Sequence, residues 1–315
     1  MSCDMRIITH WKDLPQSDRG ACVALGNFDG VHKGHQKVIQ LAADAARAQQ
    51  SPLGVISFEP HPRRLFHTLE PAFRLTTIDQ QSRALSELGV DRLYLLAFDY
   101  EMAGLSDEDF ARCVLHEGLG IRHVAVGFDI SFGKGRSGSP AAMTHYGDRY
   151  GFGVSVAEAV GEGVEKYSST AVRAALRDGL PDRAAAMLGR PFAIEGIVRK
   201  GKQLGRQLGI PTANVPLSDY VTPKLGVYAT RTRVPDGRWL PGVANIGVNP
   251  TTGGEDEARL EVWLFDIDID LYGEVIETQL ISFLRPEQKF ESLDLMMEQI
   301  HRDEAAARTL LSVGG

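Results

Sequence analysis

The sequence is poor in cysteine, in net positive charge and in long apolar runs. Only Cys3, Cys22 and Cys113 occur, odd in number, far apart and without metal-like spacing. Secreted disulfide frameworks use paired cysteines, so reduced thiols and a cytoplasmic location are expected. Cys22 lies in an apolar run and reads as a small core residue. The formal net charge of −7 argues against a general nucleic-acid binder, which needs a broad basic surface. No apolar run approaches the roughly 20 residues of a membrane span. Met1 to Pro15 also lacks the apolar core of a signal peptide. Neither nucleic acid nor membrane is therefore an expected partner, while a homo-oligomer is left open. Internal repeats and low-complexity tracts are absent too. The 315 residues suffice for two domains.

What cations there are gather in three glycine- or proline-rich segments. These are Pro62-Arg63-Arg64, Gly133-Lys134-Gly135-Arg136, and Arg199-Lys200-Gly201-Lys202 running on to Gly205-Arg206. Such clustering in an acidic chain favours small phosphate-bearing ligands. Up to about residue 186, apolar runs at 21–25, 53–58, 92–98, 123–127 and 154–159 read as strands. They alternate with amphipathic helices at 36–48, 78–88, 107–117, 141–150 and 170–177, with Ser106 and Asp109 placed as a helix-starting pair. That alternation implies a mostly parallel sheet covered on both faces. A further short helix is expected at 181–188. The pattern then changes to strands at 192–198, 226–233, 242–246, 260–267 and 275–283, separated by turns. One long helix follows at 293–311, with Ser292 as its cap. Strands without intervening helices suggest an antiparallel barrel or sandwich. The domains are expected at 1–186 and 187–315.

The most informative stretch is Gly26-Asn27-Phe28-Asp29-Gly30-Val31-His32-Lys33-Gly34-His35. Glycines at a strand-to-helix turn let a ligand approach the backbone, and the helix start offers unpaired N–H groups and the positive end of a dipole. His32 and His35 bracket that approach, which suits chemistry at phosphorus. The stretch resembles the signature of the His-x-Gly-His nucleotidylyltransferase superfamily. That resemblance implies in-line attack on the α-phosphorus of ATP without a covalent intermediate, the histidines and helix start stabilising phosphoryl charge. Ser168, Ser169 and Thr170 open a later helix followed by Arg173, supplying hydroxyls, N–H groups and a cation. Phe58-Glu59-Pro60-His61-Pro62 forms a stiff loop able to hold an aromatic ligand. The 133–138 segment matches G-x-G-x-x-G, with Glu158 about twenty residues on. Its strand ends well before the first glycine, so it reads as a phosphate loop and not as a dinucleotide fingerprint.

In the second half, a basic loop with Gly201, Lys202, Gly205, Arg206 and Gly209 leads into Pro211-Thr212-Ala213-Asn214. A P-loop reading fails, because Gln203 stands where a Mg²⁺-ligating Ser or Thr is required. The Thr212 hydroxyl and Asn214 amide oxygen are hard ligands suited to Mg²⁺ carrying ATP phosphates.

With these motifs in order, nearly the whole chain resembles the prokaryotic bifunctional riboflavin kinase/FAD synthetase family. Val126-Gly127-Phe128-Asp129 and 132–138 are similar to its adenylyltransferase motifs, and 245–251, 270–273 and 284–290 to its kinase motifs. The resemblance implies a Rossmann-like α/β nucleotidylyltransferase domain followed by a mostly antiparallel β-barrel with a long C-terminal helix. The barrel would phosphorylate riboflavin to FMN with ATP and Mg²⁺, Glu261 accepting the hydroxyl proton. The first domain would join AMP from a second ATP to FMN, giving FAD and pyrophosphate. Gly26, Asn27, Phe28 and Gly34, with the 168–173 and 201–214 residues named above, would hold nucleotide. Phe58, Pro60, His61, Asp129, Arg285 and Phe290 would hold flavin. Three departures stand out: Trp263 where many relatives carry histidine, Ile130-Ser131 for a Phe-Arg-like pair, and Ser139-Pro140 where an acidic residue is common. The alternative is a riboflavin kinase whose N-terminal domain only binds nucleotide or flavin.

Overall fold

The computed structural model describes residues 5–66, 70–162, 165–201, 210–249, 257–267 and 269–313. Contacts divide the chain into two compact units, Met1–Glu70 with Ile78–Ser168, and Pro71–Thr77 with Ser169–Gly315.

The first unit holds strands β1 (Arg6–Ile8), β2 (Cys22–Leu25), β3 (Leu53–Glu59), β4 (Arg92–Ala97), β5 (His123–Gly127) and β6 (Gly153–Ala157). They pair in parallel in the order β1-β4-β3-β2-β5-β6. Its helices are α1 (Lys33–Ala48), α2 (Pro62–Phe66), α3 (Ile78–Glu87), α4 (Tyr100–Gly104), α5 (Asp107–Asp109) and α6 (Pro140–Tyr150). A hairpin of β7 (Gly161–Glu162) and β8 (Glu165–Lys166) completes it. Alternate residues of the sheet enter separate apolar clusters: Val23, Leu25 and Ile56 join Phe110 and Met143, while Ala24 and Val55 join Val38 and Leu85. Both faces are thus covered, as a parallel sheet requires. The expected helix at 107–117 is present but changes hand-hold at Phe110, continuing to Gly118 as a π-helix. Ser106 caps its start, accepting from the Asp109 N–H at 3.0 Å.

The second unit contains α7 (Ser169–Asp178), α8 (Pro181–Leu188) and six strands. These are β9 (Phe192–Ile197), β10 (Ala213–Pro216), β11 (Gly226–Arg233), β12 (Trp239–Asn249), β13 (Glu257–Leu264) and β14 (Val275–Arg285), in the antiparallel order β10-β13-β12-β11-β14-β9. The two edges meet where the Arg199 N–H donates to the Asn214 carbonyl at 2.8 Å, so the sheet curls into a nearly closed barrel. The sequence does not mark β10 as a strand, because Ala213-Asn214-Val215-Pro216 is only four residues and ends in proline. The hydrogen bond from Lys224 N–H to Leu176 O ties α7 to this unit.

Alternation along the strands is clean. Leu260 and Val262 are buried inside the barrel with Val215, Ile246 and Leu280. Trp263 and Phe265 face outward, where Phe265 packs with Val227, Ala229 and Val243 on Ala307 and Leu311 of the C-terminal helix, Leu293–Val313. Trp263, the departure noted above, meets Phe265 edge-on at 5.4 Å and so helps seat that helix. Ser292 accepts from the Leu295 N–H at 3.3 Å at the helix start. Arg285 then clamps the helix with Nε and Nη2 bonds of 2.8–3.0 Å to Asp303, both side chains largely buried. Asp303→Ala should therefore cost about 3 kcal/mol, because it strands a desolvated guanidinium. A urea midpoint equal to that of the parent would refute this role.

Candidate active sites

In the first unit the strand order reverses beside β2, where β3 and β5 flank it. Open parallel sheets bind ligands at such a switch point, beyond the strands' C-terminal ends. The loop at 26–32 lies there. It turns tightly through left-handed residues Phe28 (φ 51°), Gly30 (φ 83°) and Val31 (φ 45°). A β-branched residue in that region is strained by about 1–3 kcal/mol, and such strain collects at ligand sites. The Gln36 amide donates to Val31 O at 2.9 Å and holds the turn.

α1 starts at Lys33, not at 36, because His32 is its cap. The His32 Nδ1 accepts the His35 N–H at 3.2 Å. A neutral His32 ring with Nδ1 accepting this bond carries its proton on Nε2. The two imidazoles stack at 3.6 Å and 20°, with His32 buried behind His35. Gly34 permits this stacking: a β-carbon there would lie 3.0 Å from the His32 ring and 3.1 Å from Tyr167 O. Gly34→Ala should displace the ring and slow any reaction His32 serves by about tenfold. Steady-state kinetics of the purified variant checks this, and an unchanged rate would refute it.

A cavity of about 870 Å³ opens from this loop, lined by Gly26, Asn27, Phe28 and His35. Phe58 and His61 line it from the β3 side, and Asp129, Ile130 and Ser131 from the β5 side. Its apolar wall is an aromatic chain: Phe58 meets Phe98 at 5.6 Å and Phe110 at 6.3 Å, and Phe110 meets Phe132 at 5.8 Å. One edge-on and two tilted ring contacts make a slot for a flat heteroaromatic group. The sequence points to Phe58, and to Phe132 only as part of the 132–138 motif, but not to Phe98 or Phe110, since only the fold brings these rings together. Gly133, Gly135 and Arg136 also line the cavity, as a phosphate loop would. The loop is anchored by Asp107, whose carboxylate accepts the Ser137 hydroxyl at 2.7 Å and the Tyr146 hydroxyl at 2.8 Å. Those two donors hold Asp107 below the usual carboxylate range, and the same bond pushes Tyr146 up to about 12. Ser139 is the cap of α6, accepting from the Ala142 N–H at 3.2 Å, with Pro140 in the first turn. That is work an acidic residue can also do, so this departure preserves the local structure.

Other expected residues are placed differently. Pro60 sits on the β3 loop next to lining residue His61, and Asp129 is ion-paired with Lys166, whose ammonium lies over the Phe128 ring. Ser168 ends the first unit by its contacts, whereas Ser169, Thr170 and Arg173 group with the second. There Arg173 is buried, its Nε donating to Phe73 O at 2.6 Å and its guanidinium over the Phe73 ring.

In the second unit a cavity of about 100 Å³ is lined by Gly201, Pro211, Thr212, Asn214 and Tyr272. Asn214 stands directly opposite Glu261 on β13, and Glu261 opposite Asn245 on β12. Directly paired residues point to one face, so two amides flank the carboxylate in a row across three strands. Asn245 was inside a recognised segment without being singled out, and it donates to Glu287 at 3.1 Å. The Asn214 Nδ2 donates to Thr212 O at 3.3 Å, which leaves Oδ1 as an acceptor. Gly201 makes room for that amide, since a β-carbon would come within 2.8 Å of it. A hydroxyl and an amide oxygen beside a cavity fit a hard divalent cation whose remaining ligands come from phosphate and water. Arg285 is engaged with Asp303, and its guanidinium lies 5.8 Å from the Phe290 ring. Lys202, Gly205, Arg206 and Gly209 lie outside the described residues.

These two sites define a chain carrying a pair of nucleotide-dependent transferases. Residues 14–171 match the family model for FAD synthetase, and residues 188–311 that for riboflavin kinase. A curated Escherichia coli K12 bifunctional riboflavin kinase/FMN adenylyltransferase is 42% identical over 305 residues, covering 96% of this chain and 97% of the relative. Proteins of the same name from Pseudomonas fluorescens and Bacillus subtilis are 41% and 36% identical, again over at least 95% of both chains. A solved structure described as a macrolide-efflux protein from Streptococcus pneumoniae superposes with a TM-score of 0.85 at 31% identity, covering 97% and 99% of the two chains. Among the described residues no helix is long and apolar enough to cross a membrane. The chain belongs to the bifunctional riboflavin kinase/FMN adenylyltransferase family.

Proposed function

We propose that residues 187–315 phosphorylate riboflavin to FMN and residues 1–186 adenylylate FMN to FAD, each with ATP. The observation that supports this reading is the presence of two separate sets of polar groups in one chain. One is the stacked His32/His35 pair at the start of α1, the other the Asn214–Glu261–Asn245 row beside Thr212.

In the kinase site Glu261 accepts the proton of the ribityl hydroxyl as that oxygen attacks the γ-phosphorus. Thr212 and Asn214 would hold Mg²⁺, which when bound offsets the charge of the phosphate oxygens. Gly201, Lys202, Gly205, Arg206, Gly209 and Pro211 are proposed to hold the nucleotide, and Arg285 with Phe290 the flavin. In the adenylyltransferase site the slot of Phe58, Phe98, Phe110 and Phe132 takes a flat ring, Pro60, His61 and Asp129 edging the flavin. Gly26, Asn27, Phe28 and Gly34 admit the phosphates to the backbone amides at the start of α1. His32 and His35 stabilise the charge that develops as the FMN phosphate displaces pyrophosphate. Ser168, Ser169, Thr170 and Arg173 are proposed for the phosphate chain. The enzyme works on small molecules in the cytoplasm, without nucleic acid or membrane.

The test is chromatography of products after incubating purified protein with riboflavin, excess ATP and Mg²⁺. FMN appearing first and FAD later is the expected result. FMN alone would reduce the first unit to a nucleotide- or flavin-binding module.

A further inference from the structure

Two buried polar side chains far apart in sequence converge on one carbonyl. Gln81 of α3 is 4% exposed and Ser57 of β3 is 1% exposed. The Gln81 Nε2 donates to Asn27 O at 2.8 Å and the Ser57 Oγ donates to the same oxygen at 3.0 Å. Their neighbours Val55, Ile56 and Leu85 are fully buried apolar residues, so hydrogen-bonding groups at these positions carry a desolvation cost. Neither side chain lines the cavity. Gln81 Nε2 also lies 3.5 Å from Ser57 Oγ, so the two form one small network that fixes the Asn27–Phe28 peptide.

That peptide is trans, so its C=O and N–H point in opposite directions. Holding the carbonyl from behind by both lone pairs aims the Phe28 N–H the other way. Phe28 is wholly buried and lines the cavity. Its amide donates to no protein group among the described residues. Buried backbone donors are almost always paired, so one left open beside a cavity is a donor kept for a ligand.

We propose that Gln81 and Ser57 are positioning residues for adenylyl transfer, presenting the Phe28 N–H to an oxygen of the nucleotide phosphates. This rests on the adenylyltransferase reading of the first unit. Neither residue touches substrate; both act through the peptide they hold.

The experiment compares Gln81→Leu, Ser57→Ala and Gln81→Glu in the full chain, measuring FMN adenylylation and riboflavin phosphorylation side by side. Gln81→Leu and Ser57→Ala should each lower kcat for adenylylation about tenfold, with KM for FMN changed less than about twofold. Phosphorylation should be unaffected. Gln81→Glu supplies the sharper readout: an ionised carboxylate cannot donate to Asn27 O, whereas a protonated one can. Burial raises its pKa, so its rate relative to the parent should recover as pH falls from about 8.5 to about 6. The Gln81→Leu deficit should stay constant with pH. A lowered melting temperature with unchanged kcat, or a Gln81→Glu deficit that ignores pH, would overturn the proposal and leave the pair a structural role. If Gln81→Leu fails to fold, Ser57→Ala and Gln81→Glu decide. His32→Ala is the reference: full activity there would refute the underlying reading, while its loss beside normal Gln81 and Ser57 variants would refute the positioning role alone.

Discussion

His32→Ala should lower FMN adenylylation by about 10²–10³-fold while riboflavin phosphorylation continues, as expected for loss of a preorganised donor to developing phosphoryl charge. The geometry makes the effect specific. His32 is buried, its Nδ1 is occupied by the His35 N–H, and its ring is stacked on His35. With Nδ1 turned to the backbone, Nε2 is the nitrogen that would face developing phosphoryl charge in this reading. Because His32 also caps α1, alanine removes a cap worth about 1 kcal/mol, and that loss must be separated from catalysis. His32→Asn does so: asparagine caps a helix well but carries no imidazole. Equal loss of FAD formation in both variants, with melting restored only in His32→Asn, is the expected pattern. Recovery of FAD formation in His32→Asn would instead mean that capping alone explains the residue.

The second large effect belongs to Glu261. Glu261→Gln should reduce FMN formation by about 10²–10⁴-fold, the range for removing a positioned general base. Glutamine has the same shape, so position 261 stays in register with Asn214 and Asn245. KM for ATP should change little, since Thr212 and Asn214 are untouched. FAD formation from added FMN should proceed at the parent rate, because its site lies in the other compact unit. A variant that phosphorylates riboflavin at the parent rate would remove Glu261 from the chemistry, leaving it an ordinary strand glutamate.

Much of the architecture was legible in the chain, and for identifiable reasons. The strand at 123–127 and the helix at 181–188 match observed elements end for end. Both are bounded by residues whose local preference is strong, including Pro181 at the helix start and Gly189 in a left-handed cap. Boundaries moved where a side chain, not the backbone pattern, decides them. α1 gained Lys33 through His35 because His32 turns back as a cap, which no periodicity reveals. The helix expected at 107–117 became a π-helix from Phe110, a change in hydrogen-bond step that leaves the apolar pattern readable as a single helix. β10 escaped notice because its pairing with β13 is specified by the partner strand, not by its own composition.

The two activities, their order along the chain and the groups proposed for their chemistry were legible in the sequence alone. His32, His35, Thr212, Asn214 and Glu261 belong to short continuous motifs, and a turn or cap geometry depends only on a few adjacent residues. The tertiary structure alone decided which residues share a wall or hold a neighbour in place. Phe58, Phe98, Phe110 and Phe132 become one slot, Gln81 reaches Asn27 across 54 positions, and Asn245 joins the Glu261 row. Each of these contacts closes a long loop in the chain, and nothing local encodes which distant partner packing will supply.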